Sequence, residues 1–536
     1  MFKLTLVINM IFKDTIIILL SMLCIMIYLL NKTKKIKYIV FLPFILVIIH
    51  NKTSNENLLF NLVIIGSLFV LLLPFINNKK LKCCLLTIIL LLYMSYPIST
   101  IKYNNYSSLS YLEAFQKLHK DLKENYVLND YKKIDYDKLY NNYYKLFKDV
   151  NNNEKEYYLV LEKYLNEFYD AHINIKSIIN NENLNKVRKE YYNNYYGFSI
   201  MKLDEDIYVA TNVNPSTIAY KNGIRNGTII TKWNKINIKD AIKNTQYLYL
   251  NSKNISDNAV KNYYLGFYLS DLGEDKIYIT YLDEYKKEIE IQLNSIEKGD
   301  NYVSLVIDKF TKNNQNEENF LYKKIKSTGY LKITHEKDSK RYVKKKLNTI
   351  INKIQEDNVK NLIIDLRNND GGSDLIGSTI MSFFTDEKFL YLKECIKTNN
   401  KYKIKDNIYV NGNNKIDIPI VVLINGQTIS AGEALTYNLK KLENVKVAGL
   451  TGSNGSASTI GKRIIMPHNI LISIPTILLL NEKDEVIIDS NEYGYGGIKP
   501  DIKIPIDNTT INNIFDDSID YELEYVLNYF KKDTYE

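Results

Sequence analysis

Apolar strand-like segments alternate with helical segments between residues 320 and 510, and this alternation constrains the fold more than any other feature. It is typical of an α/β core with a mostly parallel sheet. In open sheets of this kind, ligands bind beyond the carboxyl ends of the strands. Two loops, 368–372 and 425–430, follow predicted strands at such ends. The strands are GYLKIT, NLIIDL, IPIVVLIN, NVKVAGL and NILISIP, and the helices lie near 339–356, 374–384 and 430–442.

The first 98 residues differ in composition from the rest of the chain, because four apolar runs fill them. A transmembrane helix needs about 20 mostly apolar residues. The third and fourth runs approach that length, whereas the first two are shorter and also fit buried or re-entrant segments. The runs span residues 15–30, 38–49, 58–76 and 83–98.

Lysines crowd the loop after the first apolar run and the loop after the third. Positively charged loops stay in the cytoplasm. The second and third runs must then both cross the bilayer, and the fourth exports everything after residue 98. One cleavable signal peptide would not account for four runs. The sequence therefore predicts a multi-pass cell-membrane protein with an extracellular C-terminal part.

Composition argues against several other classes of protein. Only Cys395 lies beyond the apolar runs, so the exported part has no intrachain disulfide to form. The net charge of +9 is spread without a dense basic stripe, which argues against nucleic acid as a partner. The chain has no HExxH motif, cysteine cluster or phosphate-cradling loop, so we expect no metal or nucleotide cofactor. The oligomeric state is left open.

Two further regions separate the membrane region from the core. In residues 101–190, apolar and aromatic side chains recur three or four positions apart, which predicts a layer of helices. Short alternating segments punctuated by Gly and Asn fill residues 195–296 and predict a β-rich module. The core is assigned to 320–510, and residues 511–536 form a C-terminal amphipathic helix.

Ser430 follows a strand and a Gly-containing turn, and it opens a predicted helix. Its spacing from Glu433 is that of a capping box, and Ser is a common N-cap residue. A hydroxyl at that place also lies beside backbone N–H groups and the positive end of the helix dipole, which suits a developing oxyanion. The local sequence leaves both roles, cap and nucleophile, open.

The loop NNDGG (368–372) follows the predicted strand NLIIDL. Its paired glycines let backbone amides approach a ligand, since no Cβ is in the way. An ordinary strand-to-helix turn capped by Ser373 or Asp374 is the alternative. This loop and the loop before Ser430 resemble the two halves of an acyl-transfer site.

Over residues 107–530 the chain resembles the carboxy-terminal (tail-specific) processing peptidases, S41-type serine peptidases related to the tricorn core protease and the interphotoreceptor retinoid-binding protein. The resemblance implies an α/β peptidase core and a PDZ-like module at 195–296 that helps to engage a polypeptide substrate. A β-rich spacer without a ligand groove is the alternative for that module. The segments that carry the resemblance are FYDAHINI (168–175), YGFSI (196–200), STIAYKNGIRNGTIITKWNKINI (216–238), DLRNNDGG (365–372), INGQTISAGE (424–433), GLTGSNGSAS (449–458) and GGIKPDI (496–502).

Residue by residue, the resemblance places Ser430 at the nucleophile. It places Gly371 and Gly372 in the loop that forms the oxyanion hole, together with the amide of Ala431. A serine hydroxyl needs a base to take its proton. The serine-lysine branch of the family carries that lysine 25 residues after the nucleophile, where this chain has Gly455.

Two residues can replace the missing lysine. His172 matches the histidine that the tricorn-like branch supplies before its PDZ-like module, and it is favoured because its ordinary pKa suits a base near neutral pH. Lys462 resembles the lysine of the family's T-F-G-K segment if seven residues are inserted ahead of it. Glu492 is the candidate for the carboxylate that orients the histidine, two residues before the strictly aligned Gly494.

The resemblance thus implies a membrane-anchored serine endopeptidase that cleaves exported or envelope proteins through an acyl-enzyme on Ser430. Because the lysine is missing and the glutamate is displaced, a catalytically inactive relative that binds peptides or apolar ligands remains the alternative.

Overall fold

The computed structural model describes residues 102–533, apart from residues 152, 178–183, 185, 188–190, 193, 246, 248–253, 273–274, 298–301, 314–317 and 399–400. Residues Asn104–Lys176 and Glu182–Glu536 belong to one unit. Among the described helices, none has the length and apolar character that crossing a bilayer requires. The predicted membrane region, with its four apolar runs, lies outside the described residues.

Three helices form the layer that the spacing of aromatic residues predicts. Each begins after a residue whose side chain accepts a hydrogen bond from the third backbone amide of the helix. Their buried faces pack in one cluster with Ile464, Ile472 and Leu478 of an antiparallel sheet. The helices are α1 (Tyr111–Asn125), α2 (Tyr136–Asp149) and α3 (Glu154–Asn166).

This antiparallel sheet has the strand order β1-β18-β19-β14-β15, with β2 paired to β19. The segment NILISIP was predicted as part of the parallel core, but it lies here, in β19. The turn at Pro467–Asn469 joins it antiparallel to β18, and apolar character alone does not reveal which sheet a strand joins. The strands are β1 (Lys102–Asn105), β2 (Ile175–Ser177), β14 (Lys388–Thr398), β15 (Lys401–Asn411), β18 (Thr459–Met466) and β19 (Ile470–Leu480).

The predicted β-rich module contains short strands around its own apolar cluster, which includes Trp233 and Phe198. Its sheets have the strand orders β7-β6-β8-β9, β4-β5 and β3-β10. The elements are β3 (Asn194–Tyr195), β4 (Ser199–Lys202), β5 (Tyr208–Thr211), α4 (Ile218–Lys221), β6 (Ile230–Trp233), β7 (Ile236–Asn237), α5 (Ile238–Asn244), α6 (Asn258–Lys261), α7 (Leu265–Leu269), β8 (Lys276–Leu282), β9 (Glu288–Asn294) and β10 (Ile296–Glu297).

The α/β core is built on a sheet with the strand order β11-β12-β13-β16-β17-β20. The first pair of strands is antiparallel and the others are parallel. The predicted α/β fold is therefore confirmed, and its sheets are mixed. The strands are β11 (Leu321–Ile325), β12 (Thr328–Lys332), β13 (Asn361–Asp365), β16 (Ile420–Leu423), β17 (Val445–Gly449) and β20 (Ile502–Lys503).

Helices cover both faces of this sheet, because alternate strand residues point to opposite sides. Leu362 and Ile364 pack against α9, α10 and α11, whereas Ile363 packs against α8 and α13. The helices are α8 (Tyr302–Thr311), α9 (Lys340–Glu356), α10 (Asp374–Met381), α11 (Ala431–Leu439), α12 (Ile511–Ile514) and α13 (Tyr521–Asp533).

A buried ion network ties the C-terminal helix to the loop after β13. The Arg367 guanidinium donates to both carboxylate oxygens of Asp365, at 3.0 and 2.7 Å. It also donates to Asp520, at 2.8 and 2.7 Å, and to Glu522, at 2.9 Å. Arg367, Asp365 and Glu522 are all at most 2% exposed. Arginine suits this place because its planar fork can serve several carboxylates at once.

Replacing Arg367 should destabilise the protein strongly, because Glu522 would lose its buried cation and Asp365 would keep, of the described cations, only Lys332, at 3.9 Å. We expect Arg367→Leu to lower the free energy of unfolding by about 3–5 kcal/mol. Denaturant titration followed by circular dichroism measures the change. The matched control is Lys309→Ala, which removes the partly exposed pair with Asp517 and should cost under about 1 kcal/mol. Equal losses in the two variants would contradict the assignment.

Candidate active site

Ser430 lies on a strained turn between β16 and α11. Its backbone has φ 60° and ψ −128°, whereas an N-cap residue usually has the extended conformation. A residue other than glycine in such a conformation costs about 1–3 kcal/mol. Nucleophilic serines of α/β enzymes lie on strand-to-helix turns of this kind. Ser430 is half-buried, and its conformation matches that of such serines and differs from that of an ordinary cap.

The carboxyl group of Glu433 holds this turn in place. One oxygen accepts the backbone N–H groups of Ser430 and Ser456, at 3.2 and 3.1 Å. The other accepts the Gly455 N–H at 2.7 Å and the Ser453 hydroxyl at 2.6 Å. Burial raises the pKa of Glu433 to about 8, although the four donors favour its ionised form. Glu433 thus joins the turn at Ser430, here called the nucleophile turn, to the segment 453–456.

The loop 368–372, here called the oxyanion loop, packs directly on Ser430. A Cβ on Gly371 would lie 2.6 Å from the Ser430 Cβ and 3.2 Å from the Ala431 nitrogen. Gly371 also has φ +72°, so both space and conformation require glycine. The oxyanion loop and the start of α11 are therefore in contact, as the two halves of an acyl-transfer site must be.

The amides near Ser430 differ in their bonding. The Gly371 N–H donates to the Asn369 side-chain oxygen at 2.9 Å, so it is already occupied. Within the part of the chain that the structure describes, no hydrogen bond engages the amides of Gly372 and Ala431. The geometry therefore favours Gly372 and Ala431 as the oxyanion donors, while Gly371 contributes the close approach.

His172 is held through a serine to a buried carboxylate. Its Nδ1 lies 2.9 Å from the Ser456 hydroxyl oxygen. The Ser456 hydroxyl donates to Asp170 Oδ1 at 2.5 Å, and the His172 backbone N–H donates to the same oxygen at 2.9 Å. Among the described residues, no hydrogen bond engages Nε2 of His172. This is the arrangement of a base whose second nitrogen is fixed by an orienting group.

Asp170 is suited to this orienting role because it stays ionised. Burial opposes its charge, but the hydrogen bond from His172 and the charge of Lys132 hold its pKa well below the usual range. Its other oxygen accepts the Tyr126 hydroxyl at 2.8 Å. The Lys132 ammonium group is itself buried and donates to the carbonyls of Phe168 and Tyr169, just before Asp170.

Ser456 connects this group with the nucleophile turn. Its carbonyl oxygen accepts the Ser430 N–H at 3.0 Å, while its hydroxyl contacts His172. One residue of the segment 453–456 therefore touches both the nucleophile turn and the candidate base. The sequence signal was present, since Ser456 follows Gly455 at the aligned lysine position.

The other two candidates have different partners. The Lys462 amine donates to Asp121 Oδ1 of α1 at 2.7 Å in a buried ion pair. Glu492 pairs with Lys133 at 2.7 Å, and the carboxylate beside His172 is Asp170. The sequence did not indicate Asp170 as the orienting residue, because a carboxylate two positions before a histidine has no distinctive spacing.

Comparison with known proteins identifies the core. Residues 327–504 match the sequence model of Peptidase family S41. This match and the fold support a serine-type peptidase, which confirms the predicted enzyme class. No curated protein matches the chain.

Solved structures of CPAF share the fold at low sequence identity. Mature CPAF complexed with lactacystin has a TM-score of 0.52 at 13% identity, over 76% of this chain and 95% of that chain. Mature CPAF alone gives 0.51 at 13% identity, over 76% and 94%. The photosystem II D1 C-terminal processing protease gives 0.36 at 16% identity, over 76% and 98%. The CPAF likenesses show the fold alone.

The geometry predicts that Asp170, rather than Glu492, supports His172. We expect Asp170→Asn to slow labelling of the full-length protein by a serine-directed fluorophosphonate about 100-fold or more, because the imidazole loses its ionised partner. Glu492→Gln is the matched control and should react at the wild-type rate. Thermal unfolding of both variants checks that the fold is intact. Slow labelling of a folded Glu492→Gln variant, with Asp170→Asn unaffected, would reverse the assignment.

Proposed function

We propose that the protein is a membrane-anchored serine endopeptidase that cleaves exported or envelope proteins, near their C-termini, through an acyl-enzyme on Ser430. The observation that carries this proposal is the strained turn at Ser430, with unbonded amides on either side of the close contact with Gly371. A residue that served only as a helix cap would not need that conformation.

In the proposed reaction, the Ser430 hydroxyl attacks the scissile carbonyl and passes its proton to Nε2 of His172. The resulting imidazolium is stabilised by Asp170 through Ser456. The amides of Gly372 and Ala431 bind the oxyanion. His172 then gives the proton to the leaving amine, and water hydrolyses the acyl-enzyme with His172 again acting as base.

His172 is preferred to Lys462 as the base because of their partners. The Lys462 amine is already engaged, because it donates to Asp121 in a buried ion pair. Among the described residues, no hydrogen bond joins the Ser430 hydroxyl to either side chain, so the preference rests on their other partners. The nitrogen Nε2 of His172 has no competing partner within the same residues.

The substrate is proposed to be a polypeptide that the module at 195–296 helps to engage. That module has the β-strands of the proposed PDZ-like domain. A peptide can add as a further strand to the exposed edge of such a sheet, where main-chain hydrogen bonds supply the affinity.

Fluorophosphonate labelling of the full-length protein in detergent tests the catalytic proposal. We expect labelling of the wild type, none of Ser430→Ala, and labelling slowed about 100-fold or more in His172→Ala. Lys462→Met should retain labelling, because Lys462 is assigned a structural ion pair.

Two outcomes would contradict this proposal. A folded wild-type protein that the probe does not label would support the catalytically inactive, ligand-binding relative. Labelling that survives in His172→Ala but disappears in a folded Lys462→Met variant would make Lys462 the base. Circular dichroism spectra distinguish both from misfolding.

The location of the peptidase part is a separate proposal, which rests on the apolar runs before residue 98 and on the lysines between them. We expect a protease added to intact cells to digest residues 101–536, detected with an antibody to the C-terminus. A cytoplasmic protein of the same cells, used as a marker, should stay intact. Protection of the C-terminal part in intact cells, with digestion after lysis, would place it inside.

A further inference from the structure

Glu336 borders the oxyanion loop with its backbone. Its N–H donates to the Gly371 carbonyl at 3.1 Å, and its own carbonyl accepts the Ser373 N–H at 2.9 Å. A Cβ on Gly372 would lie 2.3 Å from the carbonyl carbon and oxygen of Glu336. Gly372, whose amide is the candidate oxyanion donor, therefore lies between Gly371 and Ser373, and both of these neighbours are hydrogen-bonded to the backbone of Glu336.

The Glu336 side chain acts on the same loop through Asn369. One carboxyl oxygen accepts the Asn369 side-chain amide at 2.8 Å. That amide also donates to the Ile333 carbonyl at 3.1 Å. Because the Asn369 nitrogen is fixed in this way, its oxygen faces the Gly371 N–H at 2.9 Å. Glu336 thereby determines which amide of the loop is occupied and which is left for a ligand.

The surroundings of Glu336 are buried and contain a second acid. Glu336 is fully buried, and its Oε2 has no hydrogen-bond partner among the described residues. The same holds for Oδ1 of Asp374 and the hydroxyl of Tyr391. Burial raises the pKa of Glu336 to about 8, with Asp374 and Asp370 acting in the same direction. Burial also raises the pKa of Asp374, to about 7.

The lysines that act on Glu336 and Asp374 are each paired with another carboxylate. Lys337 acts on Glu336 but is bonded to the exposed Asp370. Lys405 acts on Asp374 but is paired with Glu394, which itself opposes the charge of Asp374. Two carboxyl groups in a region without a buried cation cannot both ionise cheaply.

We propose that Glu336 is a positioning residue of the oxyanion hole, whose backbone holds Gly372 and whose side chain holds Asn369 in place. Burial, which raises the pKa of Glu336 to about 8, lets this carboxyl group keep its proton at neutral pH. This inference rests on the proposed function of Ser430. Loss of the proton places a second charge beside Asp374 and disturbs the loop that Glu336 holds. The loop is then expected to bind an oxyanion less well at alkaline pH.

Protonation of Glu336 should make the stability of the protein depend on pH. A buried acid with a raised pKa binds its proton more tightly in the folded state. Its contribution to stability is complete below the ordinary value of 4.5 and is lost as the pH rises towards 8. Stability should therefore fall across this interval, and activity should fall as the pH passes 8.

The test uses fluorophosphonate labelling rates of the full-length protein between pH 6 and 10, because the probe's phosphoryl oxygen occupies the oxyanion hole. Glu336→Ala should slow labelling about 10-fold or more at pH 7. Glu336→Gln keeps the acceptor for Asn369 without a charge, so it should rescue most of that loss and lack the wild-type fall above pH 8. Glu433 is present in all three proteins, so its effect on the labelling rate cancels when they are compared.

Exposed Glu387 supplies the control variant, Glu387→Gln, which should keep the wild-type profile. An alkaline fall in Glu336→Gln equal to that of the wild type would overturn the proposal. So would a wild-type rate in a folded Glu336→Ala variant.

Thermal unfolding separates this inference from the proposed function. Between pH 4.5 and 8 the melting temperature should fall less in Glu336→Gln than in the wild type, whether or not the probe labels Ser430. Absence of labelling in all proteins would therefore defeat the proposed function alone. Stabilisation of the wild type, but not of Glu336→Gln, by millimolar Ca²⁺ would show that the pair holds a cation instead of a proton, and would overturn the proposal.

Discussion

The carboxyl group of Glu433 lies where two parts of the site meet. It accepts the backbone N–H of Ser430 and those of Gly455 and Ser456, so the strained turn and the segment 453–456 are bonded to the same two oxygens. Strain at Ser430 can persist only if its surroundings over-determine it. Ser456, fixed in this way, brings its hydroxyl to His172. The position of the candidate base therefore depends on a side chain that has no chemical step of its own.

The same principle recurs around the site: buried charges and polar groups position loops that carry little regular structure. Asp170 fixes His172, Glu336 fixes the oxyanion loop through Asn369, and Arg367 ties that loop to the C-terminal helix. Asp170 and Arg367 are costly to bury alone and are stabilised by several specific partners, whereas the Glu336 carboxyl group has one among the described residues, Asn369. A site built in this way is rigid, and removal of one partner leaves an uncompensated charge.

The alternation of strands and helices in the core was readable because buried strands and amphipathic helices have distinct periods. The helix at 340–356 and the strands at 361–365 and 420–423 lie where the pattern predicts. The antiparallel sheet was not predicted, since its long hairpin of β14 and β15 and the placement of β19 depend on pairing between distant segments. Such pairings leave no local signature.

The sequence by itself determined the α/β class, the serine at a helix start and the glycines beside it, because periodicity and backbone freedom are local properties. Only the tertiary structure decided which carboxylate touches His172, that Lys462 pairs with Asp121, and that the Gly371 amide is occupied while that of Gly372 is not. These outcomes depend on contacts between residues up to several hundred positions apart. The packing of the helical layer and the oxyanion loop creates those contacts, and no spacing in the sequence records them.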